Sequence, residues 1–490
     1  MYGQARRKNY EVRLVRVSPW NNRTYCGDRS RTSRKAAKRM LAFILSILIV
    51  SSAGFGVACF CFQSRKEETR VVAENEILSS GPGEEPAGVS EQEIVVLEES
   101  EPKIPVIAID PGHGGDDEGC SRGDVYEKEM NLAIAYRLAT KLQEMGFDVV
   151  MTREDDETSL SLEERVQIAE DSGGDIYISI HQNACEEQES SVQGIETWYC
   201  GRTEGSRRLA QLVHKGALEK SGARERELSE TDDLYVIREC SMPACLIETS
   251  FLSNSEERNR ICEPIYQDKL AAGIAEGIYY YFYPKTMYLT FDDGPSEENT
   301  AAVLDILKKH NIKATFFVVG ENVRSHPEVA RRIVEEGHTI GIHCNRHEYD
   351  ELYESVDSYL TDFQEAYNAV YEVTGVEAKL FRFPGGSINS YNKDVYEDII
   401  AEMTERGFLY FDWNGSLEDA MSKSTPEQLV ENAVESTLGR KKVVMLAHDI
   451  VYNTTLCLED LIDSFPEYKM EALTEEVSPI RFSCGIELAR

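Results

Sequence analysis

Cysteine is sparse in this chain, 12 in 490 residues, too thin a scatter for a scaffold framed by disulfides. Positive charge is in deficit: 52 Lys and Arg stand against 87 Asp and Glu, a formal net charge of −35. A nucleic-acid binder needs a basic face, which this balance does not supply. With 33 glycines, 15 prolines and 41% hydrophobic residues, a collagenous, low-complexity or wholly disordered chain is also excluded. Histidine is scarce, at nine, so the places where it gathers are informative. The length leaves room for about three domains.

The charge is uneven. Residues 1–40 hold twelve Lys or Arg and only Glu11 and Asp28 as acids, a net of +10 that leaves −45 for the remaining 450. Between the two regimes, residues 41–62 (LAFILSILIVSSAGFGVACFCF) carry no charge. As a helix this run is about 33 Å long, enough to cross a bilayer core of about 30 Å. The basic stretch before it is long for a signal peptide and no clear A-x-A site follows. Arg34, Lys35, Lys38 and Arg39 flank the run, so the expectation is a single-pass anchor with 1–40 cytoplasmic and the rest on the outer side.

Residues 63–103 read as an acidic linker, with GPGEEPAG interrupting any regular element. From 104 the texture alternates. IPVIAID, FDVVMT, DIYISIH, GIETWYC, DLYVIR and ACLIET read as strands. Helices are expected at 130–145, at LEERVQIAED behind a capping box of Ser161 and Glu164, and at 268–282. After Pro284 a second series begins. MYLTFDD, KATFFVV, HTIGIH, KLFRF, FLYFDW and KVVMLAH read as strands, with helices near 299–310, 327–337, 355–374, 394–406 and 426–438. Both series argue for α/β domains, 104–283 as a twisted open sheet and 285–475 as a barrel-like domain.

In the first series His113 lies in DPGHGG after the first strand, Glu127 in YEKEMNL, and His181 at the end of DIYISIH. Two imidazoles and a carboxylate can bind zinc and leave a fourth position for water. Glu248, ending ACLIET, is the candidate base. Alone, each of these is weak: DPGHGG could be a tight turn or a phosphate cradle. In order, IAIDPGHGG, EKEMNLA, ERVQIA, ISIHQNA, GIETWYC and MPACLIETSFLSN resemble the zinc-dependent N-acetylmuramoyl-L-alanine amidase family over 104–283. The resemblance implies zinc on His113, Glu127 and His181, catalysis by Glu248, and cleavage between the lactyl group of N-acetylmuramic acid and L-alanine of the stem peptide. Only residues 182–193 separate His181 from the next strand, too few for the inhibitory helix some members carry. The role of Glu196 in GIETW stays open.

In the second series TFDDGP places Asp292 and Asp293 at a strand end, and HCNRH spaces His343 and His347 four apart, the distance that joins two side chains on a helical turn. Asp293 with both histidines makes a set suited to zinc or another divalent metal, and Asp292 is free to act as base. An Asp-Asp pair before Gly-Pro is also ordinary turn chemistry. With RFPGGS, FDWNGSLEDA and VVMLAHD, these segments resemble the polysaccharide deacetylase family, whose fold is a distorted (β/α) barrel. The resemblance implies Asp292 as general base, His448 as general acid, Arg382 and Asp412 as the charges that tune them, and removal of an acetyl group from an N-acetylated sugar of a β-1,4-linked polymer. Cys344 stands where a small hydroxyl residue is usual, which raises the question of oxidation beside the metal.

Together the two resemblances imply peptidoglycan glycan strands and stem peptides as partners. They imply zinc in the first site and zinc or another divalent metal in the second. An amidase frees the lactyl carboxylate of muramic acid and a deacetylase frees its amine, and these two groups can close as a muramic lactam. Independent amidase and N-acetylglucosamine deacetylase activities fit the motifs as well, and a non-catalytic wall-binding scaffold is the alternative from another class. Four histidines, His214, His310, His326 and His338, read as structural or surface residues. Disulfides among Cys120, Cys185, Cys200, Cys240, Cys245 and Cys262 stay open.

Overall fold

The computed structural model describes residues 103–187, 189–420 and 424–483. The expected basic segment, the 41–62 span and the linker up to residue 102 lie outside the described residues. Among the described residues no helix is long and apolar enough to cross a membrane.

The first half is built on strands β1 (Val106–Pro111), β4 (Asp148–Met151), β5 (Ile176–Asn183), β6 (Ile195–Tyr199), β7 (Glu225–Glu230) and β8 (Ala244–Phe251), with β2 (Ser121–Arg122) and β3 (Val125–Tyr126) as a small separate hairpin. The large sheet runs in the order β4-β1-β5-β8-β6-β7. All its pairs are parallel except β6 with β8. The central strands are continuous apolar runs because helices cover both faces. Ile107, Ile109, Ile178 and Ile180 pack under helices Glu127–Glu144, Ser206–Ser221 and Pro264–Phe282. The intervening Ala108 and Tyr177 meet helices Leu162–Asp171 and Tyr235–Glu239 on the other face. The capping box at Ser161 and Glu164 is present.

One element differs from the sequence reading. DLYVIR is not a strand; Tyr235–Glu239 is a short helix whose adjacent Val236 and Ile237 are both buried. The strand in that region is β7, with the sequence ERELSE. As an edge strand it buries little, so its residues carry no apolar signal.

The second half has β9 (Lys285–Asp292), β10 (Thr315–Val319), β11 (Thr339–Cys344), β12 (Leu380–Phe381), β13 (Leu409–Tyr410), β14 (Gly415–Ser416), β15 (Lys442–His448) and β16 (Tyr468–Glu471). They pair in parallel in the order β13-β12-β11-β10-β9-β15-β14, and β16 adds to the first half of β9. The expected barrel does not close: among the described residues no ladder joins β13 to β14, and the sheet is a curled half-barrel. Its concave side is filled by Tyr288, Phe317, Leu380, Phe411, Val444 and Leu473.

Only Tyr283 and Pro284 separate helix Pro264–Phe282 from β9. Phe147, just before β4, packs on Phe282 and Tyr283, so the joint lies at the starting ends of the first sheet's parallel strands. Across it Lys215 pairs with Glu467 at 2.8 Å and Arg207 with Asp463 at 2.8 Å, while Arg208 donates to the Pro466 carbonyl. Functional side chains stand at the opposite, carboxyl ends of the strands. Glu127 is separated from the joint by an 18-residue helix, and Asp292 ends the 8-residue strand that Lys285 begins, so each site stands about 25 Å from the joint.

Candidate active sites

The first site begins where β1 stops. The chain turns through Gly112 and His113, and His113 has a φ of +62°, a conformation that costs a non-glycine residue energy unless its surroundings enforce it. They do so through two arginines. Arg165 donates to Asp110 Oδ1, to the Pro111 carbonyl and to the His113 carbonyl at 2.7, 2.9 and 2.7 Å. Arg153 donates to the carbonyls of Pro111 and Gly112. Burial would raise the Asp110 carboxyl, but Arg165 together with hydrogen bonds from Thr152 and Tyr177 holds the group below its usual range. Position 112 requires glycine, because a Cβ there would lie 2.2 Å from His181 Cε1.

His113, Glu127 and His181 each offer one donor atom, all within 4.8 Å of one another. Glu127 Oε1 lies 2.9 Å from His181 Nδ1 and 3.3 Å from His113 Nε2. The carboxylate is fixed by the Gln182 and Cys120 amides, at 3.0 and 2.8 Å, and by Asn131 Nδ2. Burial opposes its charge, yet the hydrogen bonds with His113 and His181 hold it well below the usual range. His113 Nδ1 meets Asp117 Oδ2 at 2.8 Å. Burial lowers the pKa of this ring, and Glu127 and Asp117 more than reverse it.

Sheet register supplies the fourth member. Glu248 on β8 lies directly beside His181 on β5, and Glu196 on β6 faces Glu248 from the other side. Glu248 Oε2 is buried without a hydrogen-bond partner among the described residues. Burial, then repulsion from Glu127 and Glu196, pushes its carboxyl well above the usual range. An orphaned carboxyl oxygen beside three convergent donors fits a cation and a water at this point. Glu196, whose role the sequence left open, accepts from Asn183 Nδ2 at 2.9 Å and from Arg226 Nε at 2.7 Å.

The second site repeats the plan. Asp292 ends β9, and Asp293 follows with a φ of +77°. His343 lies on β11 and His347 in the loop before helix Tyr349–Leu352. The helical turn expected for HCNRH is therefore absent, and a strand-to-loop corner brings the two rings to 5.3 Å between centroids. Asp293 Oδ1 is 3.4 Å from Nε2 of both histidines. That oxygen is buried without a hydrogen-bond partner among the described residues, and the set converges as a cation would require. His343 Nδ1 donates to the Arg382 carbonyl at 2.9 Å, which leaves Nε2 toward Asp293. Burial lowers the His343 ring to about 3. Cys344 is buried, and burial raises its thiol well above the usual value, so it holds its proton and is shielded from oxidants.

Arg382 is fully buried between the Phe317 and Trp413 rings and donates to Asp292 Oδ1 at 2.9 Å and to Thr290 Oγ1 at 2.7 Å. Burial raises the Asp292 carboxyl, and the arginine recovers only part of that shift. His448 stands beside Asp292 in the β15–β9 ladder. Burial would lower its ring, but Asp419, 2.7 Å from Nδ1, raises it to about 9. Asp419 also accepts from the His448 amide and from Thr454 Oγ1.

The expectation that Asp412 is one of the tuning charges does not match this geometry. Its carboxylate accepts from the Ser387 amide and hydroxyl at 2.8 and 2.6 Å and from the Phe482 amide at 2.7 Å. Only its carbonyl reaches Arg382, at 3.4 Å. The carboxylate beside the histidine is Asp419, seven positions on in the same FDWNGSLEDA segment. Arg153, Arg165 and Asn131 were missed as well; the ERVQIA and EKEMNLA segments contain two of them, but nothing in spacing says that they brace a turn. His214 and His338 are buried, each lowered by burial to about 4. Cys120, Cys185, Cys200, Cys240, Cys245 and Cys262 are all free thiols.

Each half thus presents a carboxylate and two histidines poised for a metal, next to a recessed acid group, at the carboxyl ends of parallel strands. This is the layout of a two-domain hydrolase. Residues 107–280 match the profile of the N-acetylmuramoyl-L-alanine amidase family, and residues 282–404 that of the polysaccharide deacetylase family. The chain belongs to both families, one in each half, and is a hydrolase of carbon–nitrogen bonds. The second match ends before Asp412, Asp419 and His448. A germination-specific N-acetylmuramoyl-L-alanine amidase of Bacillus subtilis is 34% identical over 194 residues, 37% of this chain and 81% of that protein. A peptidoglycan-N-acetylglucosamine deacetylase of Bacillus cereus is 32% identical over 206 residues, 40% of this chain and 73% of that protein. The amidase LytC of Bacillus subtilis is 38% identical over 178 residues, 36% of this chain, and the match spans 35% of LytC's own length.

Proposed function

We propose that this chain is a membrane-anchored, bifunctional peptidoglycan hydrolase. The first half cleaves the N-acetylmuramoyl-L-alanine amide, and the second removes the N-acetyl group from a glycan sugar. The observation that carries the reading is the pair of orphaned buried oxygens, Glu248 Oε2 and Asp293 Oδ1, each placed where a cation and a substrate oxygen complete the set. His113, Glu127 and His181 would hold zinc, and Asp293, His343 and His347 zinc or another divalent metal. Such a cation, when bound, polarises the carbonyl under attack and makes water more acidic.

The protein's own groups move the protons. Glu248 takes one from the attacking water and returns it to the departing L-alanine amine. In the second half Asp292, steadied by Arg382, takes the proton, and His448, kept protonated by Asp419, delivers one to the sugar amine. The 41–62 run supports a single-pass anchor that leaves both domains on the wall side.

The two activities in one chain support an order, with amide cleavage first, deacetylation second, and muramic lactam as the end product. The sites stand at the far ends of their domains from the joint, so the intermediate leaves one site and returns through the polymer to the other. A second reading, independent amidase and N-acetylglucosamine deacetylase activities, is favoured by the similarity to the Bacillus cereus enzyme. The test is purified peptidoglycan incubated with chelator-stripped protein, then with added zinc. Release of both peptide amino termini and acetate on zinc addition supports the proposal; release of neither overturns it.

A further inference from the structure

The geometry points to Arg226 as the binding site for a free carboxylate on the peptide side of the scissile amide, a specificity contact that rests on the amidase reading above. Arg226 lies on edge strand β7, where the register against β6 slips: Ile195 pairs with Glu225, yet Thr197 pairs with Leu228. The extra residue is a bulge, a device that re-aims side chains. Here it sets Arg226 beside Glu196.

Three contacts immobilise the side chain. Its stem lies across Gly194, where an added Cβ would be 2.7 Å from Arg226 Cγ. Its guanidinium sits over the Phe251 ring at 5.1 Å. Its Nε donates to Glu196 Oε1 at 2.7 Å, and the other oxygen of that carboxylate is already taken by Asn183. Only Nε is engaged, and neither Nη has a hydrogen-bond partner among the described residues. The side chain remains 30% exposed. An anchored guanidinium with its two-pronged end free matches a carboxylate in bidentate geometry, with little ordering left to do on binding.

Position says which carboxylate. His181, Glu248 and Glu196 form one row across β5, β8 and β6, with neighbouring Cβ atoms about 5 Å apart, and Arg226 extends the row outward on β7. A carbonyl held beside His181 and Glu248 therefore has Arg226 within reach of the adjoining chain. The only carboxyl of N-acetylmuramic acid is consumed in the amide itself. A carboxylate that reaches Arg226 therefore belongs to the peptide, close behind L-alanine.

The test uses the full chain with two substrates, N-acetylmuramoyl-L-alanyl-D-glutamate γ-methylamide with its α-carboxylate free and the same compound with that group amidated. The wild type should show a KM about tenfold lower for the free acid. Arg226→Lys and Arg226→Gln should bring the ratio of the two KM values close to one. Both substrates are read on the same preparation, so a folding defect moves both and cancels in the ratio. Inhibition of the wild type by L-alanyl-D-glutamate γ-methylamide and by its α-amide gives the same comparison without any variant, and the free acid should bind more tightly. Equal KM values in the wild type, or a ratio unaltered by both variants, overturns the proposal while the amidase reading stands. Failure of the wild type to cleave either substrate overturns that reading and this one with it.

Discussion

Asp419 Oδ1 stands 2.7 Å from Nδ1 of His448, and His448 in turn lies in ladder register with Asp292. The buried carboxylate raises the imidazole from its ordinary 6.5 to about 9. The acid form is thus kept through neutral pH, and deacetylation should fall as pH rises through about 9. Asp419→Asn should move that descending limb at least one unit lower, as read from acetate release between pH 6 and 10. Because the folded-state value is the raised one, the pair's contribution to stability is complete below pH 6.5 and is lost as pH rises through about 9. The thermal midpoint of the wild type should therefore drop over that range more steeply than that of the variant.

Asp412 behaves differently under the same treatment. Its three accepted hydrogen bonds tie the loop at Ser387 and the segment at Phe482 to the chain just after β13. Asp412→Ala leaves buried donors unmatched and should cost about 3 kcal/mol, seen as a lower denaturant midpoint. The pH profile of the remaining activity should keep its descending limb near 9.

At the first site, Glu248→Gln should retain zinc and lose peptide release by at least a hundredfold. His181→Ala should lose both metal and activity. Metal content per chain, measured with peptide release on the same samples, checks the pair. A Glu248→Gln protein that works at near the wild-type rate would show that another group is the base.

The α/β class of both halves was legible because buried parallel strands are apolar throughout, as in IPVIAID and KATFFVV. β7 was not legible, since an edge strand such as ERELSE has no buried face to mark it, while the short apolar run YVIR has the composition of a strand and folds as a helix. The sets His113, Glu127, His181 and Asp293, His343, His347 could be read because these residue types recur at fixed places in short motifs. Asp419 could not be separated from Asp412 in this way. Both are buried acids in one segment, and only the fold decides which of them meets the histidine. Arg226 gave no signal, since its role depends on a register slip between two strands.

The two sites are about one domain length from the joint each, so inactivating one should leave chemistry at the other intact. Asp292→Asn should alter the amidase rate by less than twofold, measured as peptide release from purified peptidoglycan. A larger effect would show that the sites communicate through the contacts of Lys215 and Arg207.

Mass spectrometry of glycan fragments from peptidoglycan digested by the wild type, Glu248→Gln and Asp292→Asn tests the central claim most directly. The wild type should yield peptide-free muramic residues lighter by one acetyl group and one water than N-acetylmuramic acid. Asp292→Asn should stop at peptide-free N-acetylmuramic acid, and Glu248→Gln should give no lactam. If the wild type instead removes acetyl groups from N-acetylglucosamine alone and leaves muramic residues acetylated, the sequential account is contradicted and two independent wall-editing activities remain.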